Sequence, residues 1–156
     1  MVNYNAMNSI KISRCLEATM STLVFRLKRD GITKAYVDRL IVELIRRDDS
    51  FASLLVGLLL SGESKDAVCD EIMLAVETCG IVENDTPERV FRGLCGSLQS
   101  EVDSSALSSA HVLHRALCDK TTATHRVFKK RGITAQHLAE IMCQLAAGDY
   151  DDKNKM

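Results

Sequence analysis

The stretch Thr86-Pro87-Glu88-Arg89-Val90-Phe91-Arg92-Gly93-Leu94-Cys95-Gly96-Ser97-Leu98 decides the fold class. Threonine can accept a backbone hydrogen bond as a helix N-cap. Proline suits the first helical position, where its missing N–H would have no partner, and glutamate suits the positive end of the helix. Val90, Phe91, Leu94, Cys95 and Leu98 then fall on one face of a 3.6-residue period. Working outward, the same order of cap, stripe and stop recurs. Upstream, helix 1 is expected over about Ile10 to Arg29, with Cys15, Leu16, Thr19, Met20 and Leu23 inward and Gly31 as its stop. Thr33 is the expected cap of helix 2, Lys34 to Arg47, with Val37, Leu40, Ile41, Leu44 and Ile45 inward. Ser50 opens helix 3, where Phe51, Leu54, Leu55, Leu58 and Leu59 form an i, i+3, i+4, i+7, i+8 stripe; Val56 and Leu60 broaden it and mark this helix as central. Ser64 caps helix 4, with Val68, Ile72, Met73 and Val76 inward and Gly80 at its end. Residues 81–85 read as a linker. Downstream, Ser105 or Ser108 opens helix 6 (Val112, Leu113, Ala116, Leu117), and Thr121 or Thr122 opens helix 7 (Val127, Phe128), ended by Gly132. Thr134 caps helix 8 (His137, Leu138, Ile141, Met142, Leu145), stopped by Gly148, and the charged tail Asp149 to Met156 is expected to be disordered.

Composition agrees with an all-α chain. The 156 residues suit a single domain, and 46% apolar content suits a packed core. One proline, no tryptophan and 4% aromatics argue against a β-sandwich. Twenty basic against 21 acidic residues give a net charge of −1, which sets aside the broad positive field of a general nucleic-acid binder. The six cysteines, Cys15, Cys69, Cys79, Cys95, Cys118 and Cys143, form no C-x-x-C pair and read as small buried hydrophobes in a reducing cytoplasm. No signal peptide is legible. The longest apolar run, Phe51 to Leu60, is well short of the roughly 20 residues of a membrane span.

The two halves resemble each other. Residues 15, 16, 19, 20 and 23 match 90, 91, 94, 95 and 98; Leu40-Ile41 and Leu44-Ile45 match Val112-Leu113 and Ala116-Leu117; Leu55-Val56 match Val127-Phe128. An internal repeat of about 72–75 residues accounts for this, since a unit of four amphipathic helices buries its faces by packing on another. The expectation is one double-repeat helical domain over 1–148: repeat one about 10–80, repeat two about 86–147, and the two pseudo-symmetric.

In the second half, Thr86-Pro87 is followed by Ala110-His111-Val112-Leu113, Ala116-Leu117, Arg126-Val127-Phe128 and Gly132-Ile133-Thr134. This order resembles the Clp repeat, the N-terminal domain of the Clp AAA+ unfoldases. The first half resembles it through Leu44-Ile45-Arg46 and Phe51-Ala52, with an insertion of about three residues near Ser61. The resemblance spans residues 10–147. It implies eight helices in two Clp-type repeats and a non-enzymatic, cofactor-free module. Such a module would bind a protein or peptide segment, namely an AAA+ Clp unfoldase, its substrate or an adaptor. The chain holds no G-x-x-x-x-G-K-[ST] phosphate loop of its own, so it reads as either an excised N-domain or a free-standing form; the tail ending in Lys155-Met156 favours a natural end. Two alternatives stand beside it: an N-domain that recognises a helix of a type VI secretion sheath protein, and a helical DNA-binding regulator.

In some family members the glutamate of a Thr-Glu-His motif helps to bind phosphoarginine. Here Ala110 stands at that place in repeat two and Asp38-Arg39 fall where Glu-His would in repeat one, so one carboxylate is shortened and the other lost. A guanidinium needs an acidic acceptor. A groove for an apolar helix or extended segment is therefore expected instead. Carried over from the family, its surface comprises Ser13, Asp38 and Arg39 in repeat one and Thr86, Ala110 and His111 in repeat two.

Two constellations have competing readings. His111, His114 and Cys118 stand at i, i+3 and i+7 and could face zinc with His125 as a fourth ligand. Structural zinc sites usually carry closely spaced thiolate pairs, so the preferred reading is a framework His111, a partly exposed His114 and a buried Cys118. No oxyanion feature accompanies a Cys118–histidine pair as nucleophile and base. Arg126, Lys129, Lys130 and Arg131 could meet an anionic partner, but they stand at a helix end, as Arg46 and Arg47 do, where cations are stabilised by the helix dipole.

Overall fold

A computed structural model describes residues 12–101 and 106–146 of this chain, and these form eight α-helices with no strand beyond isolated bridges. They are α1 (Arg14–Asp30), α2 (Tyr36–Arg46), α3 (Phe51–Leu59), α4 (Lys65–Cys79), α5 (Pro87–Gln99), α6 (Ser109–Cys118), α7 (Ala123–Lys129) and α8 (Ala135–Ala146). No described helix is long and apolar enough to cross a membrane. The expected helix onset at Ile10, the alternative cap Ser105, the stop at Gly148 and the tail 149–156 lie outside the described residues.

Hydroxyl caps set most helix starts. Ser13, Ser50, Ser64, Thr86, Ser108 and Thr122 each accept a first-turn backbone N–H, and Thr134 accepts that of His137. Helix 1 starts later than expected, because Ser13 is extended and its N–H donates to Leu107 O at 2.7 Å. Gly31 and Gly132 supply the left-handed turns after α1 and α7.

The start of α2 departs from the sequence reading. Thr33 does not cap it; Ala35 does, at φ 55°, with no side-chain hydrogen bond to the helix. The reason lies in the segment read as a linker. Ala35 N–H donates to Ile81 O (2.9 Å) and Glu83 N–H donates to Thr33 O (2.7 Å), so residues 81–83 are tied to 33–35. Glu83 Oε2 also accepts the Tyr36 N–H at 3.3 Å. Gly80 permits this approach. A Cβ there would lie 2.4 Å from Val76 O and 3.3 Å from Ala35 Cβ.

The central helix is α2, not α3. It packs against α1, α3, α4, α5, α6 and α7, and buries Tyr36, Leu40, Ile41, Val42, Leu44 and Ile45. Tyr36 meets Phe91 of α5 edge to face at 6.4 Å. On α3 the inward face is Ala52, Ser53, Leu55, Val56 and Leu59, whereas Phe51, Leu54 and Leu58 of the expected buried stripe face solvent. The misreading has a local cause. In a nine-residue helix with no charged residue, both faces are apolar and periodicity alone does not choose between them.

Candidate functional site

Four of the six expected site residues serve the framework. Asp38 is only 6% exposed. Its Oδ2 accepts the Ala123 N–H at 2.9 Å, and its Oδ1 accepts the Thr124 N–H at 2.8 Å and the Thr124 hydroxyl at 2.7 Å. A carboxylate of α2 thus satisfies the orphan N–H groups at the start of α7 and meets the positive end of that helix. Arg39 is buried too. Its Nε donates to Lys34 O at 2.9 Å and its Nη2 lies 3.6 Å from Glu77 of α4. Ala110 is fully buried, and its N–H donates to the Ser108 hydroxyl. His111 is half-buried, and its Nδ1 accepts the Ser108 N–H at 3.0 Å, which completes a capping box with the Ser108 side chain. Burial first, and the neighbouring His114 second, depress the imidazole pKa, in keeping with this acceptor role. Asp38, Arg39 and Ala110 are thus buried in the framework, and His111 caps α6 from a half-buried position.

Ser13 and Thr86 remain near an open surface. Lys28 Nζ pairs with Glu88 Oε2 at 2.6 Å, and Cys95 Sγ lies 3.9 Å from Met20 Sδ, so α1 and α5 run antiparallel. Between them is a groove of about 210 Å³ lined by Ile12, Met20, Val24, Phe91 and Cys95, with Glu88 and Arg92 as its polar members. Ser13 follows the lining residue Ile12, and Thr86 caps the helix that carries Glu88. The Lys28 hydrogen bond, reinforced by the Glu88 backbone N–H, lowers the Glu88 pKa, so this group is an anion at neutral pH. Its second oxygen, Oε1, is buried without a partner. Desolvation pushes the Cys95 thiol up to about 11, which makes it a lining group rather than a nucleophile. Met20, Phe91 and Cys95 were legible within apolar stripes, whereas Ile12 and Val24 lie outside them. What the stripes do not carry is that the α1–α5 seam stays partly open.

The histidine and basic constellations resolve differently. Cys118 is exposed, not buried, with its Sγ 3.8 Å from His114 Nδ1. Cys15 is half-buried and Cys79 and Cys143 are exposed, so of the six cysteines only Cys69 and Cys95 behave as small buried hydrophobes. His125 is turned away, its Nδ1 2.6 Å from Leu117 O. Among the described residues no group of three or more His, Cys, Asp or Glu side chains could hold a metal ion. In the basic cluster, Lys130 pairs with Glu71, and Arg131 pairs with Glu63 and Glu71, each at 2.7 Å. The two carboxylates raise the Arg131 pKa, and Arg131 then Lys130 lower that of Glu71. Arg126 and Arg131 also donate to Thr121 O and Val127 O. The cluster ties α7 and its end to α4. No protein-family model, curated protein or solved structure matches this chain, so its own geometry carries the functional reading.

Proposed function

We propose that this chain is a non-enzymatic protein-binding module built from two Clp-type four-helix repeats, which presents a substrate or adaptor segment to a Clp-type AAA+ unfoldase. The observation that carries the reading is the apolar groove between antiparallel α1 and α5. Two parallel walls of helix offer a seat for a third helix or an extended segment, and apolar lining with few polar groups is the usual make-up of such seats.

Paired hydrogen bonds support the repeat. Ser50 Oγ donates to Leu44 O, and Thr122 Oγ1 to Ala116 O. Ser50 N–H donates to Arg47 O, and Thr122 N–H to Asp119 O. The start of α3 is capped from α6 by Ser109 at Ala52 N, and the start of α7 is capped from α2 by Asp38 at Thr124 N. Each match is displaced by about 72 residues, the period expected of one repeated unit. A sheath-protein helix would suit the same groove. The DNA-binding alternative loses its main motive, because two cations of the basic cluster are engaged by carboxylates.

The test is a titration of apolar helical and extended peptides against the wild-type chain and Val24→Asp, a substitution in the half-exposed groove wall. Wild type should bind with a Kd of about 1–100 μM, and the variant at least about tenfold more weakly, with an unchanged helical circular-dichroism spectrum. Equal binding by both, or binding by neither, overturns the groove reading. Recovery of DNA at physiological salt in place of an AAA+ ring overturns the assignment to the unfoldase.

A further inference from the structure

Helices α1 and α2 enclose a second, polar cleft of about 260 Å³, on a different face of α1 from the groove. Its lining is Thr19, Thr22 and Arg26 of α1, at i, i+3 and i+7, with Glu43, Arg46 and Arg47 from the C-terminal end of α2. Three guanidinium groups thus share the cleft with one carboxylate. Arg26 Nη2 lies 2.8 Å from Glu43 Oε2. Arg46 Nη2 donates to Asp70 Oδ1 at 3.0 Å. Arg47 donates to the two oxygens of Asp49, at 2.7 and 3.4 Å, and to the Thr19 hydroxyl at 3.0 Å. Neither Asp49 nor Asp70 lines the cleft. A guanidinium carries five N–H donors, so all three arginines keep donors beyond these contacts. Arg26 Nε is buried and has no acceptor among the described residues, whereas buried donors normally have one.

The second half of the chain shows what such a helix pair needs. About 72–75 residues on, Glu101 and Arg115 stand where Arg26 and Glu43 do, and they pair at 2.9 Å with the signs exchanged. Arg46 and Arg47 correspond to Cys118 and Asp119. A helix C-terminus favours cations, but α6 ends without a pair of them. One ion pair across the helices is enough to join them, and the two further arginines at the end of α2 are surplus to that joint.

We propose that the α1–α2 cleft binds a phosphate group, held by Arg26 and Arg46 with Arg47 and the Thr22 hydroxyl beside them. Phosphate oxygens match the fork of a guanidinium, and a phosphate would give Arg26 Nε its acceptor. Its charge of nearly −2 lets it compete with Glu43 for Arg26, where a second carboxylate would gain little. No aromatic ring lines the cleft to stack a base, so recognition ends at the phosphate group itself.

Titration of the full chain with inorganic phosphate at constant ionic strength tests this, followed through arginine Nε–H and backbone signals in heteronuclear NMR spectra. The Arg26 and Arg46 signals should saturate with a Kd of about 1–10 mM. N-acetyl-O-phosphoserine amide is the second probe: tighter binding than inorganic phosphate assigns the cleft to a phosphorylated side chain, and weaker binding assigns it to the free ion. Arg46→Gln, at an exposed position, should weaken phosphate binding at least about fivefold with an unchanged circular-dichroism spectrum. Glu43→Gln removes the competing carboxylate and should strengthen binding at least about threefold, which a merely structural ion pair would not do. Shifts that never saturate, or that centre on Lys129 and Lys130, overturn the proposal, as does a Glu43→Gln chain that binds no more tightly than wild type.

Discussion

Asp38→Ala removes the acceptor at the start of α7 without altering the helix that carries it. Three donors converge on this carboxylate, at 2.7, 2.8 and 2.9 Å, and all three bonds are buried. A hydrogen bond to a charged group contributes about 1.5–3 kcal/mol, and a buried N–H left unsatisfied costs about 1–3 kcal/mol. The three bonds share one acceptor group and are not additive, and water fills part of the space an alanine leaves. The expected loss is therefore about 3–5 kcal/mol, the range for removing one partner of a buried charged interaction. Asp38→Asn is the informative companion. Its oxygen can keep the two Thr124 donors, but its NH₂ then faces the Ala123 N–H, donor against donor. It should lose about 1–3 kcal/mol. Urea unfolding followed by circular dichroism at 222 nm reads both values, with the slope m checked for constancy. A change below about 0.5 kcal/mol in Asp38→Ala would refute the reasoning, since that is the behaviour of a surface residue.

Leu55 is fully buried on the inward face of α3, so Leu55→Ala should cost about 2–5 kcal/mol in the same assay; a surface-like value would mean the faces of α3 are reversed. Gly80→Ala should cost about 1–3 kcal/mol, because its methyl group meets backbone at Val76 and the side chain of Ala35; a stabilised variant would show that the 33–35 and 81–83 pairing is loose. His111 should make stability pH-dependent. Its pKa in the folded chain is below the unfolded value of about 6.5, so its contribution is complete above that pH and is lost as pH falls towards the folded pKa. In His111→Gln, which keeps a capping-box acceptor that does not titrate, that part of the pH slope should vanish; an identical slope in the variant would place the titration elsewhere.

Most helix starts were legible because a hydroxyl cap is a local signal, carried within three residues by Ser50, Ser64, Thr86 and Thr134. The start of α2 was not, because Ala35 holds its left-handed conformation through bonds to residues 81 and 83, far along the chain. Asp38 shows the same limit. As a polar residue near a helix start it reads as surface, and only the arrival of α7 buries it. On α3 the pattern carried the apolar character but not the direction, since every residue from Phe51 to Leu59 is uncharged. Part of the groove lining, Met20, Phe91 and Cys95, lay inside stripes read as core. Whether a seam between two helices closes depends on how they diverge, which periodicity does not encode.

The bond between Asp38 and Thr124 spans 86 residues of chain. On a ribosome adding about 5–20 residues per second, Thr124 is made roughly 4–17 s after Asp38. Until the second half is made, α2 lacks the cover of α5, α6 and α7 and carries an anionic group intended for a helix start that does not yet exist. The first half of the polypeptide therefore waits in a state whose innermost helix is covered only on the side of α1, α3 and α4. Completion of synthesis, rather than completion of the first half, should be the event after which this chain resists proteolysis.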